Sequence, residues 1–159
     1  MVQIALCEDK PEELAHMRQL LAQYAVDRPQ ARLRLEPYES AERLLAALNQ
    51  GTGNQVFLLA IFMPGTDGVP LARQLRGAGN SGVIIFLAGT REYAYGAFGV
   101  HALDYVLKPV QTGRLYEALD KALDYLDSRK SALYTLVQMA EADRMVALDD
   151  IIAVEVQGH

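Results

Sequence analysis

One cysteine is all that this chain of 159 residues contains, so no disulfide can form within it. Cys7 lies inside the apolar run Val2 to Cys7, where a buried structural thiol is the expected role. No run of about 18 apolar residues exists, so the sequence offers no membrane-spanning helix. A signal-peptide pattern is missing too, because Glu8-Asp9 interrupts the first apolar segment almost at once. A cytoplasmic protein with no membrane contact is the expectation. A basic excess is also missing: 15 Lys and Arg against 20 Asp and Glu give a net charge of −5. That argues against a nucleic-acid surface on this chain alone. His16, His101 and His159 are isolated from any ligand partner at useful spacing, which excludes a histidine metal site. Finally, the segment after the first apolar run is not the glycine-rich loop that cradles a nucleotide phosphate. It reads Glu8-Asp9-Lys10-Pro11, which is acidic and has one N–H removed by proline.

What the chain does have is a hydrophobic content of 51% with 22% charged residues, the balance of a soluble globular protein. Its length suits one domain of ordinary size and a fragment of another. Val2 to Cys7 reads as a strand. Lys10-Pro11-Glu12-Glu13 opens a helix, with proline in the first turn and acids at the positive end of the helix dipole. Leu14, Met17, Leu21 and Tyr24 give that helix one apolar face, and Pro29 closes it. Leu33, Leu35 and Tyr38 alternate with polar residues as a second strand. Ser40 is the expected N-cap of a helix carrying Leu44, Leu45 and Leu48, ended by Gly51 to Asn54. The apolar run Val56 to Phe62 is a third strand that stops at Pro64-Gly65, and Asp67 caps the helix through Leu71, Ala72 and Leu75. Val83 to Leu87 is a fourth strand, followed by a helix near Thr90 through Tyr93, Ala94 and Phe98. Leu103 to Leu107 is a fifth strand, and Thr112 opens a long helix with Leu115, Leu119, Leu123 and Leu126 on one stripe. Strands alternating with helices, with the central strands apolar throughout, predict a doubly wound parallel sheet of flavodoxin-like order.

After Ser128 the rhythm changes. Tyr134 to Met139, Met145 to Leu148 and Ile151 to Val156 read as three short strands, too few for an independent core. The expectation is one α/β domain over 1–128 and, over 129–159, the start of a second domain cut short.

In an open parallel sheet, chemistry gathers at the carboxyl ends of the strands. Those ends bring together Glu8 and Asp9, Ala60 with the Phe62 backbone carbonyl, Ala88, and Lys108. Two adjacent acids make an oxygen-only site suited to Mg²⁺, which binds few protein ligands and keeps several waters. A lysine across the crevice supplies a point charge for a phosphoryl oxygen. This is the equipment of phosphoryl transfer, minus a nucleophile: the natural place for a carboxylate, position 60, holds alanine.

Three pieces in order, Cys7-Glu8-Asp9-Lys10-Pro11-Glu12, Met63-Pro64-Gly65-Thr66-Asp67-Gly68 and Ala102-Leu103-Asp104-Tyr105-Val106-Leu107-Lys108-Pro109, resemble the receiver domain of two-component response regulators. The tail, with Val146-Ala147-Leu148-Asp149-Asp150-Ile151-Ile152-Ala153-Val154-Glu155, is similar to the first strands of a LytTR-type DNA-binding domain, and Arg91-Glu92-Tyr93-Ala94 suits receivers of that subfamily. The resemblance implies the α/β, CheY-like fold and a part in phosphorelay control of transcription rather than enzyme activity. Within it, Glu8 and Asp9 match the Mg²⁺-binding acids, Lys108 the invariant lysine and Tyr105 the aromatic that swings on activation. Ala60 stands at the phospho-acceptor aspartate and Ala88 at the Ser/Thr switch hydroxyl, so the sequence as written is not phosphorylatable there. Mg²⁺ binding is expected to be weak, and Lys108 is expected to pair with Asp9 or to keep a vestigial phosphate role. An engineered acceptor-dead variant and a regulator that has stopped using aspartyl phosphate both explain the alanines.

The family further implies a sensor histidine kinase as partner and a homodimer through the fourth helix, fifth strand and fifth helix. DNA would be reached only through a complete LytTR domain. Tyr93, Tyr95 and Phe98 cannot all be buried by one short helix, so at least one is expected to be exposed at that interface. Two other functions stay open: a phosphorylation-independent pseudo-receiver answering to a ligand or protein, and a flavodoxin-like enzyme, against which the acidic first loop counts.

Overall fold

A computed structural model describes residues 1–146, except 52 and 64. Five strands, β1 (Val2–Cys7), β2 (Leu33–Tyr38), β3 (Val56–Ala60), β4 (Val83–Ala88) and β5 (Asp104–Leu107), alternate with five helices. These are α1 (Pro11–Asp27), α2 (Ala41–Asn49), α3 (Gly68–Gly77), α4 (Ala94–Gly99) and α5 (Thr112–Val146). The strands form one sheet in the order β2-β1-β3-β4-β5, with every pairing parallel. This is the doubly wound arrangement that the alternation of periods predicts, and its cause is visible in the burial. Every residue of β3 and β4 is buried, as a central parallel strand covered on both faces requires. β2, at the sheet edge, has no fully buried residue.

The local signals act largely as expected. Pro11 occupies the first turn of α1, and Met17, Leu20, Leu21 and Tyr24 form its buried face. The Ser40 hydroxyl accepts a hydrogen bond from the Arg43 backbone N–H at 3.2 Å and caps α2. Asp67 sits at the N-cap position of α3 but makes no capping bond. Its Oδ1 instead accepts from the Met63 N–H at 3.5 Å, so it closes the loop behind it rather than the helix ahead. Gly68 follows because nothing larger fits: a Cβ there would collide with the Ala60 carbonyl, while its own N–H donates to the Ile61 carbonyl at 2.8 Å. α4 is short, and the Thr90 hydroxyl accepts from the Glu92 N–H in the turn before it rather than capping it. Arg76 ties the end of α3 to the segments around it, donating to the carbonyls of Asn80, Gly82 and Val100 at 2.8–2.9 Å.

Two boundaries depart from the sequence reading. β3 ends at Ala60, leaving Ile61 and Phe62 in the loop, where Phe62 is 48% exposed. The larger departure is in the tail. Tyr134 to Met139, read as a strand, lies within α5, as do Met145 and Val146. A six-residue apolar run is equally compatible with a helix, and a helix already under way from Thr112 extends more cheaply than a new strand starts. The expected strand over Ile151 to Val156 lies outside the described residues. The chain divides into two compact units, 1–119 and 120–159. The first contains the whole sheet. No helix among the described residues is long and apolar enough to cross a membrane.

Cys7 ends β1 fully buried, with its Sγ 3.4 Å from the Met63 sulfur. Burial, with the nearby charges of Glu8, Glu42 and Asp9, pushes its thiol up to about 12. The folded protein should therefore leave a disulfide reagent such as DTNB unconsumed at pH 8 and release one equivalent of thiol in denaturant. Rapid reaction of the native protein would show that the end of β1 opens to solvent.

The carboxyl ends of the strands

Parallel register puts the ends of four strands side by side. Cys7 pairs with Leu59, so Glu8 emerges beside Ala60, and Ala60 in turn pairs with Leu87. The Ile61 N–H donates to the Leu87 carbonyl at 3.0 Å, and the Lys108 N–H to the Ala88 carbonyl at 2.7 Å. Positions 8, 60, 88 and 108 thus meet as the sequence reading placed them. Ala60 and Ala88 are both buried, and neither methyl group offers a nucleophile or a hydrogen bond.

The charged side chains are arranged differently from expectation. The Lys108 ammonium donates to Glu8 Oε2 at 2.8 Å and also to Glu13 Oε2, not to Asp9. Glu13 stands in the first turn of α1, directly above the end of β1, and was read in the sequence only as a helix-start acid. The available signal was its spacing: a residue in the first turn of the helix after β1 lies over the crevice. Glu8 is buried, and its Oε1 accepts a second bond from the Lys10 N–H at 3.3 Å. Burial pushes the Glu8 carboxyl up from its ordinary value in spite of the Lys108 hydrogen bond and charge. Glu13 is more open. Burial works to raise its carboxyl as well, but the hydrogen bond and charge of Lys108 prevail and hold it down. Burial alone would lower the Lys108 ammonium, yet the bonds to Glu13 and Glu8 raise it. One cation therefore serves two carboxylates.

Asp9 has a buried Oδ1 with no hydrogen-bond partner, an orphaned oxygen of the kind that a cation or water satisfies. The donor set for Mg²⁺ is nevertheless thin. No group of three His, Cys, Asp or Glu side chains among the described residues converges to hold a metal ion. Glu8 is committed to Lys108 and position 60 supplies no carboxylate, so of the expected ligands Asp9 and the Phe62 carbonyl are left.

The aromatic residues fall into two groups. Tyr105 donates its hydroxyl proton to the Thr90 carbonyl at 2.5 Å, and burial, ahead of the neighbouring Tyr93 and Glu92, raises its phenol. Tyr93 packs against the core and meets Phe62 edge-to-face, with ring centroids 5.0 Å apart. Tyr95 and Phe98 are 91% and 82% exposed. Arg114, which the sequence reading passed over, forms a fork on Asp104, with 2.6 and 2.9 Å bonds to its two carboxylate oxygens. His16 hydrogen-bonds the Val110 carbonyl at 2.9 Å and takes no part in the crevice cluster.

The fold is that of a receiver domain. The chain belongs to the response regulator receiver domain family, whose model matches residues 4–120. Among curated relatives it is 33% identical over 137 residues to an uncharacterized response regulatory protein of Vibrio cholerae, covering 84% of this chain and 49% of that protein. It is 34% identical over 122 residues to the positive alginate biosynthesis regulatory protein of Pseudomonas aeruginosa, covering 75% and 46%. It is 27% identical over 153 residues to the sensory transduction protein LytR of Staphylococcus epidermidis, covering 84% and 60%. The chain thus spans about half the length of the first two. The response regulatory domain of MrkE from Klebsiella pneumoniae shares its fold, with a TM-score of 0.71 at 23% identity over 80% of this chain and 99% of that one.

Removing the amine is the informative perturbation. Lys108→Met should lower stability by about 3–5 kcal/mol, the usual cost of stranding a buried carboxylate. With no cation to oppose burial, the folded pKa of Glu8 moves further above its unfolded value. The remaining stability is then greatest below that unfolded value and falls as pH rises through the folded one. Urea titrations at pH 5 and pH 8 should show the larger loss at pH 8, and Glu8→Gln in the same background should recover part of it. Equal losses at both pH values would mean that Glu8 is not the stranded charge.

Proposed function

We propose that this chain is the receiver part of a LytTR-type transcription regulator that does not use aspartyl phosphate. The observation that carries this reading is the crevice itself. The acceptor and switch positions are Ala60 and Ala88, and the lysine that would neutralise a phosphoryl oxygen is held by Glu8 and Glu13. Phosphoryl transfer to a receiver needs a carboxylate oxygen to attack phosphorus while the leaving group departs with its bonding pair. A methyl group at position 60 cannot begin that step. We read the module as a signalling part rather than an enzyme, working in the cytoplasm.

Receiver domains typically bind Mg²⁺. Here it would rest on Asp9 and the Phe62 carbonyl, with Glu8 only if Lys108 lets it go, and the rest of its shell would be water. Such a site is weak, because each anionic ligand adds affinity. A sensor histidine kinase is the partner the family implies, and DNA would be reached through a complete LytTR domain. The α4–β5–α5 face, with Tyr95 and Phe98 exposed on it and Tyr93 partly buried behind them, supports a homodimer. Tyr105, tethered to the Thr90 carbonyl, is the aromatic whose position would report a switch.

Acetyl phosphate with Mg²⁺ should leave the intact mass of the protein unchanged. Gain of one phosphoryl group would overturn the reading. Ala60→Asp should restore slow labelling, since Glu8, Asp9 and Lys108 are present. It should couple poorly to dimer formation, because Ala88 has no hydroxyl to follow the phosphoryl group. Full dimerisation of the labelled single variant would refute the role given to position 88.

A further inference from the structure

β5 is an edge strand of the sheet. Tyr105 and Leu107 stand two residues apart on it and share one face, while Val106 between them faces the other way and is buried. The helix before β5, α4, has only six residues and is about 9 Å long. It leaves the face carrying Tyr105 and Leu107 half covered. A cavity of about 590 Å³ opens there, within the size range of small-molecule sites. Arg91 and Ala94 line it from the approach and start of α4, Gln111 and Arg114 from the approach and start of α5.

Three of the eight lining residues are basic, and no described acidic residue is among them. The chain as a whole has the opposite balance, 15 Lys and Arg against 20 Asp and Glu. The three cations are not equally available. The Lys108 ammonium is held by Glu8 and Glu13, and Arg114 gives its Nη groups to Asp104 and the Tyr105 carbonyl. Arg91 is exposed and has no side-chain hydrogen bond or ion pair among the described residues. One available guanidinium suits one carboxylate, which it can hold by two parallel N–H bonds. A second negative charge on the ligand would find no spare cation and would meet Glu92, whose charge already reaches Tyr105.

The remaining walls are apolar: Ala94, the Tyr105 ring, Leu107 and Pro109. The Tyr105 hydroxyl is tied to the Thr90 carbonyl, so its ring loses little freedom when another ring is laid against it. We propose that this groove binds a small aryl carboxylate, its carboxylate on Arg91 and its ring on the Tyr105–Leu107 face. Each half is weak without the other, because an exposed cation holds a lone ion poorly in water. The site does not depend on the roles given to Ala60 and Ala88.

Titration of the ¹⁵N-labelled full chain by NMR tests this, with benzoate as the probe. The amides of Arg91, Tyr105, Leu107 and Arg114 should shift saturably, with a Kd of about 1 mM. Benzamide keeps the ring without the charge, and acetate the charge without the ring. Each should bind at least about tenfold more weakly. Arg91→Gln should weaken benzoate about fivefold or more, and Ala94→Glu, which adds a carboxylate to the cavity wall, about tenfold. Both positions are exposed, and unchanged amide dispersion elsewhere would confirm that the variants fold. Four results would each overturn the proposal. The first is no saturable shift up to about 20 mM benzoate. The second is acetate matching benzoate, which would mean an adventitious ion only. The third is benzamide matching benzoate, which would mean an apolar patch with no part for Arg91. The fourth is benzoate binding that Arg91→Gln and Ala94→Glu leave unchanged, which would place the probe elsewhere.

Discussion

The Lys108 ammonium, held between Glu8 and Glu13, is the interaction on which the crevice depends. It joins the end of β1 and the first turn of α1 to the loop after β5, which lies 100 residues beyond Glu8 and 95 beyond Glu13 in the chain. A buried carboxylate such as Glu8 is tolerable only with a partner that offsets its loss of hydration. Glu8 has that partner, so the strand end can be dry. The second carboxylate then turns a simple pair into a cluster with an excess of negative charge, and burial, with the charge of Glu13 adding to it, raises the carboxyl of Glu8. The cationic role a phosphoryl group would call upon is already filled from within.

The consequence for chemistry follows from what surrounds the cluster. On the proposed reading, Ala60 and Ala88 stand at the acceptor and switch positions, and both are buried in the core. The frame that would position a reacting group is intact: parallel register, the Lys108–Ala88 backbone bond and the Gly68 close approach to the Ala60 carbonyl. On the reading proposed above, only the reacting atoms are missing, and the chain keeps the geometry of a switch without the means of throwing it by phosphorylation.

Legibility varied with how local the cause was. Continuous apolar runs gave β3 and β4, Pro11 gave the start of α1, and Ser40 gave the cap of α2, since each signal acts within a few residues. Asp67 was harder, because its side chain chose the Met63 N–H over the helix it precedes, and both choices satisfy the same local rule. Tyr134 to Met139 misled because six apolar residues carry no period of their own. The helix they join is decided by the turns before them. Glu13 was in view as a helix-start acid, but nothing in its neighbourhood along the chain points to a lysine 95 positions away.

By itself the sequence determined the alternation of strands and helices, the parallel sheet, and that positions 60 and 88 carry no reactive group. These depend on periodicity and residue type, which are properties of the chain. Tertiary structure alone decided which acid meets Lys108, that Asp9 keeps an orphaned oxygen, and that Tyr105 is tethered to the Thr90 carbonyl. Those outcomes turn on distances of a few tenths of an ångström between segments far apart in sequence. Hydrogen bonds and ion pairs in a dry crevice are that sensitive to geometry, and residue order does not encode it locally.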